Sequence, residues 1–178
     1  MSDLKTVSEI LTVFAQYGFK KTSMEDIARA AGLSRQSIYN RFGSKEAVFD
    51  WVVESFIADM LHRVTEILAA PKSTPRETLA QAYDTWIGSQ VPLWSGTGHG
   101  AEILDLAIAS VHRSSPDLEG DYAKSVSDFL LASGLADTSA SAENKTFVLN
   151  LASKGLLVKA RTAEEFSQGI RRVISTIL

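Results

Sequence analysis

Residues 23–42 read Ser-Met-Glu-Asp-Ile-Ala-Arg-Ala-Ala-Gly-Leu-Ser-Arg-Gln-Ser-Ile-Tyr-Asn-Arg-Phe, and the spacing within this stretch decides the fold of the N-terminal part. Ser23 followed three residues later by Asp26 is a capping-box signature, which predicts a short helix over 24–31. Gly32 supplies the positive φ that a tight turn requires. Ser34 then caps a second helix over 35–42, ended by Gly43. Helices that cross steeply need a small residue where their backbones approach, and Ala28 is placed there. Ile27, Leu33 and Ile38 supply the apolar core of the pair, which leaves Arg35, Gln36, Ser37, Tyr39 and Asn40 facing outward or flanking the outer face.

These outward residues are hydrogen-bonding side chains at the N-terminal end of the second helix, the end that enters the major groove in a DNA-reading helix-turn-helix. Arg35 suits guanine O6 and N7, and Gln36 suits adenine N6 and N7. Tyr39 reaches a phosphate through its hydroxyl while its ring packs on sugar. Lys45, with the open N–H groups of the helix that starts beside it, offers a second phosphate site. Thr22 and Ser23 offer the same at the start of the preceding helix.

Working outward, the chain reads as helical almost throughout. Leu4, Val7, Ile10, Leu11 and Phe14 recur at helical spacing over 4–17, and Gly18 follows as a C-cap. Ser44 caps a long fourth helix that runs to about residue 70. Thr74-Pro75-Arg76-Glu77 restarts a fifth, to about 91. Four more are expected: about 101–112, from Ser115-Pro116 to about 133, 142–159, and from Thr162 to the C-terminus. No alternation calls for a sheet. The expectation is an all-α chain of about nine helices, with a helix-turn-helix domain over 1–45 and a second helical domain over 46–178.

Charge and composition bound the function. Of 178 residues 45% are hydrophobic and 22% charged, an ordinary globular balance. The net charge of −3 argues against a strongly nucleic-acid-binding surface overall. Residues 1–50, however, carry seven Lys/Arg against six Asp/Glu, and the remainder carries eleven against fifteen. The absence of cysteine excludes disulfides and thiolate metal sites. No secretory signal pattern opens the chain, and no apolar run approaches the roughly 20 residues of a membrane span, so a cytoplasmic protein is expected.

In combination, Ile10-Leu11-x-x-Phe14-x-x-Tyr17-Gly18-Phe19, Thr22-Ser23-Met24-x-Asp26-Ile27-Ala28-x-x-Ala31-Gly32-Leu33-Ser34 and Ile38-Tyr39-Asn40-Arg41-Phe42-Gly43-Ser44-Lys45-Glu46-x-Val48-Phe49 resemble the TetR/AcrR family of bacterial regulators. The resemblance implies a three-helix DNA-binding domain and a helical C-terminal domain that dimerises and holds an effector pocket. It also implies DNA contacts at Ser23, Arg35, Gln36, Ser37, Tyr39 and Lys45. The sequence departs from the family at Glu25, which places negative charge near the phosphate-facing end of the second helix, and in an N-terminal arm whose only basic residue is Lys5.

Beyond Trp51 the resemblance is architectural only. Phe166, Ile170, Val173, Ile174 and Ile177 form an apolar stripe on the last helix, and Phe147 and Leu151 stand on the one before. The resemblance implies that these helices build a four-helix interface between two subunits. Burial against the same subunit's core is the other way to cover such stripes. Phe56, Met60, Tyr83, Trp86, Trp94, His99 and Ile103, with His112 nearby, suit a pocket for an apolar or aromatic ligand, though each alone also suits an ordinary core. Gly96-Thr97-Gly98-His99-Gly100 follows no strand and lacks a following Lys-Ser/Thr, so it is a loop and not a phosphate cradle. The three histidines have no paired ligand spacing, and no nucleophile, base and orienter assemble from local motifs. The expected function is a ligand-responsive repressor that binds a palindromic operator in double-stranded DNA as a homodimer. It needs no cofactor or metal, is not an enzyme, and is released by a small apolar or aromatic effector. The competing expectation is a helical scaffold whose helix-turn-helix contacts protein.

Overall fold

The computed structural model describes residues 4–111 and 117–178. The described residues form α1 (Leu4–Tyr17), α2 (Met24–Ala31), α3 (Arg35–Phe42), α4 (Lys45–Ala69), α5 (Pro75–Trp86), α6 (Val91–Ser95), α7 (Gly100–Val111), α8 (Leu118–Ala132), α9 (Ser139–Lys159) and α10 (Ala163–Ile177), with a 3₁₀ turn at Gly88–Gln90 and no strand among them. The all-α expectation holds. The first three helices end where their caps place them: Gly32 is left-handed at φ 64°, and Gly18 and Gly43 also have positive φ. His112 and the Ser115-Pro116 helix start lie outside the described residues.

Two spans differ from the expectation. α5 stops at Trp86, where Ile87 leaves helical geometry at φ −129°, and Gly88 beyond it lies against Phe166 of α10, where a Cβ would stand 2.7 Å from the ring. The chain then winds through the 3₁₀ turn into the five-residue α6, where Pro92 sits in a first turn that tolerates it. α9 begins three residues early because the Thr138 hydroxyl accepts the Ser141 N–H at 3.1 Å.

The chain packs as two compact units, Met1–Asp59 with Leu93–Pro116, and Met60–Pro92 with Asp117–Leu178. The 45/46 division read from sequence marks the end of the helix-turn-helix, inside the first unit. In that unit, Val7, Ile10, Leu11 and Phe14 of α1 meet Ile27 and Ala28 of α2, Ile38 of α3, Val48, Phe49 and Val52 of α4, and Ile103 of α7. Phe14 lies edge-on to Phe49 and stacks on Phe19, at centroid distances of 5.1 and 5.6 Å. Ile38 is the only buried residue of α3.

In the second unit, Tyr83 and Tyr122 meet edge-to-face and Trp86 stacks on Tyr122 at 4.3 Å. Tyr83 donates to Asn150 Oδ1 at 2.7 Å. Burial pushes both phenols well above their ordinary range. Arg171 of α10 donates to Glu77 at 2.8 Å and to Asp84 at 3.1 Å, tying the last helix to α5.

The apolar stripe of α10 lies inside this unit. Phe166, Ile170 and Ile174 are buried in its core, and Val173 and Ile177 pack against that core half-buried. α10 sits close to the 3₁₀ turn and to α9 with glycines at the approach points: a Cβ on Gly169 would meet Leu156 at 2.6 Å, as one on Gly88 would meet Phe166. The stripe expected at a subunit interface is thus covered by its own chain. Phe147 and Leu151 of α9, by contrast, are 64% and 56% exposed.

Replacing Ile38 by Ala removes α3's one buried anchor. The expected cost is about 2–5 kcal/mol of unfolding free energy, read from the urea midpoint at unchanged slope.

Candidate nucleic-acid interface

α3 is eight residues long, too short to persist alone, and it is held by Ile38 and its caps. The Ser34 hydroxyl accepts the Ser37 N–H at 3.1 Å, and the Ser34 and Ser37 hydroxyls lie 2.8 Å apart. Arg35, Gln36, Ser37, Tyr39, Asn40 and Arg41 are exposed, so all five residues assigned to the outer face of α3 from sequence stand on one open surface. Residues four apart pair along it. The Arg35 guanidinium lies 5.4 Å from the centre of the Tyr39 ring, and the Tyr39 hydroxyl beside it raises Arg35 above its ordinary range. Gln36 Nε2 donates to Asn40 Oδ1 at 2.8 Å.

The residues expected to hold phosphates are placed differently. Thr22 is buried, and its hydroxyl donates to the Gly18 carbonyl at 2.8 Å, so it closes the α1–α2 connection. Lys45 is half-buried, and its ammonium donates to the carbonyls of Phe19 at 2.6 Å, Thr22 at 2.9 Å and Lys20 at 3.3 Å. It also stands 4.7 Å from the centre of the Phe19 ring. Its three N–H groups thus match three backbone acceptors, which makes Lys45 the staple of the 19–22 loop and not an open cation. Ser44 Oγ accepts the Ala47 N–H at 3.1 Å, which occupies one of the donors expected to be open at the start of α4.

Ser23 is exposed, but its hydroxyl donates to Asp26 Oδ2 at 2.6 Å while accepting the Asp26 N–H, and its own N–H donates to the same carboxylate. The Ser23 hydroxyl, followed by the Ser23 backbone N–H, holds the Asp26 carboxyl below its ordinary range, against a small opposing effect of burial. Together with Glu25 this leaves the start of α2 negative.

Positive charge at this end of the unit comes instead from Arg35 and Arg41 on α3 and from exposed Lys20 and Lys21 on the loop that Lys45 ties down. No motif in the sequence marks Lys20 and Lys21; their adjacency, with only Thr22 between them and the Ser23 cap of α2, is the local signal for them.

The expected pocket residues divide between the units. Phe56, Trp94 and Ile103 join the first unit's apolar cluster, while Tyr83 and Trp86 join the second's, with Met60 buried in that unit's chain segment. His99 belongs to the first unit: its ring packs against Gly18, Nδ1 lies 2.9 Å from Glu102 Oε2, and its backbone N–H donates to Ala15 O at 3.0 Å. The described residues contain no cluster of three or more His, Cys, Asp or Glu side chains able to hold a metal ion.

Residues 7–52 match the family described as "Bacterial regulatory proteins, tetR family". An HTH-type transcriptional repressor, KstR2, of Rhodococcus jostii is 39% identical over 59 residues, covering 33% of this chain and 29% of that protein. The chain therefore aligns with less than a third of that curated relative's length. Two solved structures share the fold over nearly the whole chain. A TetR regulator of Legionella pneumophila has a TM-score of 0.66 at 17% identity, covering 99% of this chain and 96% of its own. The TetR-family regulator PfmR of Thermus thermophilus has a TM-score of 0.63 at 18% identity, covering 96% of each chain. Residues 7–52 are thus similar to the N-terminal domain of that family, in a chain that shares the fold of these two structures.

Replacing Lys45 by Met leaves three loop carbonyls without their donor. The expected loss is about 1.5–3 kcal/mol of stability. The slope of log K against log salt for duplex binding should stay within a few tenths of wild type, whereas loss of a phosphate contact would lower it by about 0.9.

Proposed function

We propose that this chain is a cytoplasmic, ligand-responsive transcriptional regulator that acts as a repressor, binding a palindromic operator as a homodimer and released by a small, largely apolar or aromatic effector. The observation that carries the DNA-binding part is the exposed row Arg35, Gln36, Tyr39 and Asn40 on a helix whose single buried residue is Ile38. Donors and acceptors of that kind, at the N-terminal end of the second helix of such a motif, match the base edges and phosphates of a major groove. The relative named as a transcriptional repressor supports repression here as well.

The dimer reading is supported by α9 and not by α10. Phe147, Leu151 and Val158 are exposed at helical spacing on α9, with Gly155 between them in open space. Phe147 and Leu151 also line a groove of about 720 Å³ between α8 and α9, rimmed by Lys124, Asp128, Glu119 and Lys154. An apolar stripe with a charged rim suits an isologous contact with a second copy of the chain. A twofold partner repeats the α3 surface at a fixed spacing, as a palindrome requires. Effector release is then a linkage: a ligand that favours a conformation unsuited to DNA weakens DNA binding, and DNA weakens the ligand by the same factor. Among the described residues no helix is long and apolar enough to cross a membrane. The chain's chemistry on this reading is recognition, without turnover of the ligand.

Binding of a duplex from the region upstream of the chain's own gene should weaken steeply with added salt, and Arg35→Ala and Tyr39→Ala should each weaken it at least about tenfold. Unchanged affinity in both variants, or a salt slope near zero, would favour the protein-contact scaffold instead. Placing a charge in the stripe with Leu151→Lys should yield a folded monomer by sedimentation, with half-site binding only.

A further inference from the structure

The pairing on α3 separates two amides that look equivalent in the sequence. Gln36 is the second residue of the helix and Asn40 lies one turn further on, both exposed. Gln36 Nε2 donates one N–H to Asn40 Oδ1 at 2.8 Å. A glutamine amide has two N–H donors and a carbonyl oxygen with two lone pairs. With one N–H held by Asn40, the second N–H and Oε1 remain side by side at the end of the longer side chain. Adenine presents N7 as acceptor and the N6 amino group as donor in the major groove, which is the complement of that pair.

The contact also fixes which way round the Gln36 amide points. A free glutamine rotates about its last torsion and exchanges nitrogen for oxygen, so it can donate to guanine N7 or accept from cytosine N4 as readily as it reads adenine. Held by Asn40, it presents its donor and acceptor in one order only. Asn40 in turn has one of its two Oδ1 lone pairs taken by Gln36, and it stands on the shorter side chain one turn further from the N-terminal end of α3, the end that enters the groove. We infer that Asn40 is a positioning residue whose Oδ1 fixes the Gln36 amide, so that Gln36, and not Asn40, reads one adenine of the operator. The inference rests on the reading of α3 as the DNA-contacting helix.

The test uses the full chain. Wild-type protein selects duplexes from a random pool, and affinities for single-base variants of the selected duplex are then measured over a salt series. Gln36→Ala should cost about tenfold or more in preference for adenine at one position. Asn40→Ala should lose several-fold at that same position, leave the salt slope unchanged, and add nothing in the Gln36→Ala background. Asn40→Asp keeps the Oδ acceptor, so it should retain the adenine preference while its added negative charge weakens all duplexes alike. Circular dichroism should be unchanged in every variant, since both side chains are exposed. The inference is overturned if Asn40→Ala alters preference at a base pair untouched by Gln36→Ala, if the two losses are independent, or if Asn40→Ala changes nothing. Wild-type protein that binds no duplex even at low salt would overturn the DNA reading itself, and this inference with it; retained binding with independent losses would overturn only the pairing.

Discussion

One buried side chain holds the surface that matters most. Ile38 inserts into the core formed by α1, α2 and α4, and it is the only fully buried residue of α3, with Phe42 packed half-buried against the same core. An eight-residue helix does not persist in water without tertiary support, because the cost of nucleating it exceeds what so few hydrogen bonds return. The Ser34 cap and the Gly43 stop set the ends of the helix, but Ile38 sets its rotation about its own axis. That rotation turns Arg35, Gln36, Tyr39 and Asn40 outward together. Lys45 performs the matching task for the preceding loop, where three carbonyls converge on one ammonium.

The same economy explains why several residues with the right chemistry for phosphate are engaged elsewhere. Short helices leave N–H groups without partners, and the nearest hydroxyl is drawn to them. Ser23, Ser34 and Ser44 each accept such an N–H, and Thr22 closes a turn. A serine beside a helix start is therefore a cap first. Its hydroxyl reaches a ligand only if the cap geometry leaves a donor over, and at Ser23 the Asp26 carboxylate takes that donor.

Legibility followed the range of the interactions involved. The spans of the first three helices, the left-handed glycine at position 32 and the outward row on α3 were readable because capping, turn chemistry and helical period act within a few residues. The close approach of Gly88, just past the end of α5, to Phe166 was not, since it joins residues 78 positions apart in sequence. Nor was the role of Lys45, whose partners lie more than twenty residues upstream.

The last two helices show the division most clearly. Periodicity identified the apolar stripe of α10, and on α9 it marked Phe147 and Leu151 but not Val158. What covers each stripe was decided by tertiary packing: the glycines at 88 and 169 let α10 sink its stripe into its own core, while Phe147, Leu151 and Val158 of α9 stay open. The sequence by itself determined which residues cap, turn and point together, because those preferences are local and every peptide carries them. Only the folded chain decided which apolar faces and which polar donors remained unoccupied, because burial and hydrogen-bond partnership depend on segments distant in sequence meeting in space.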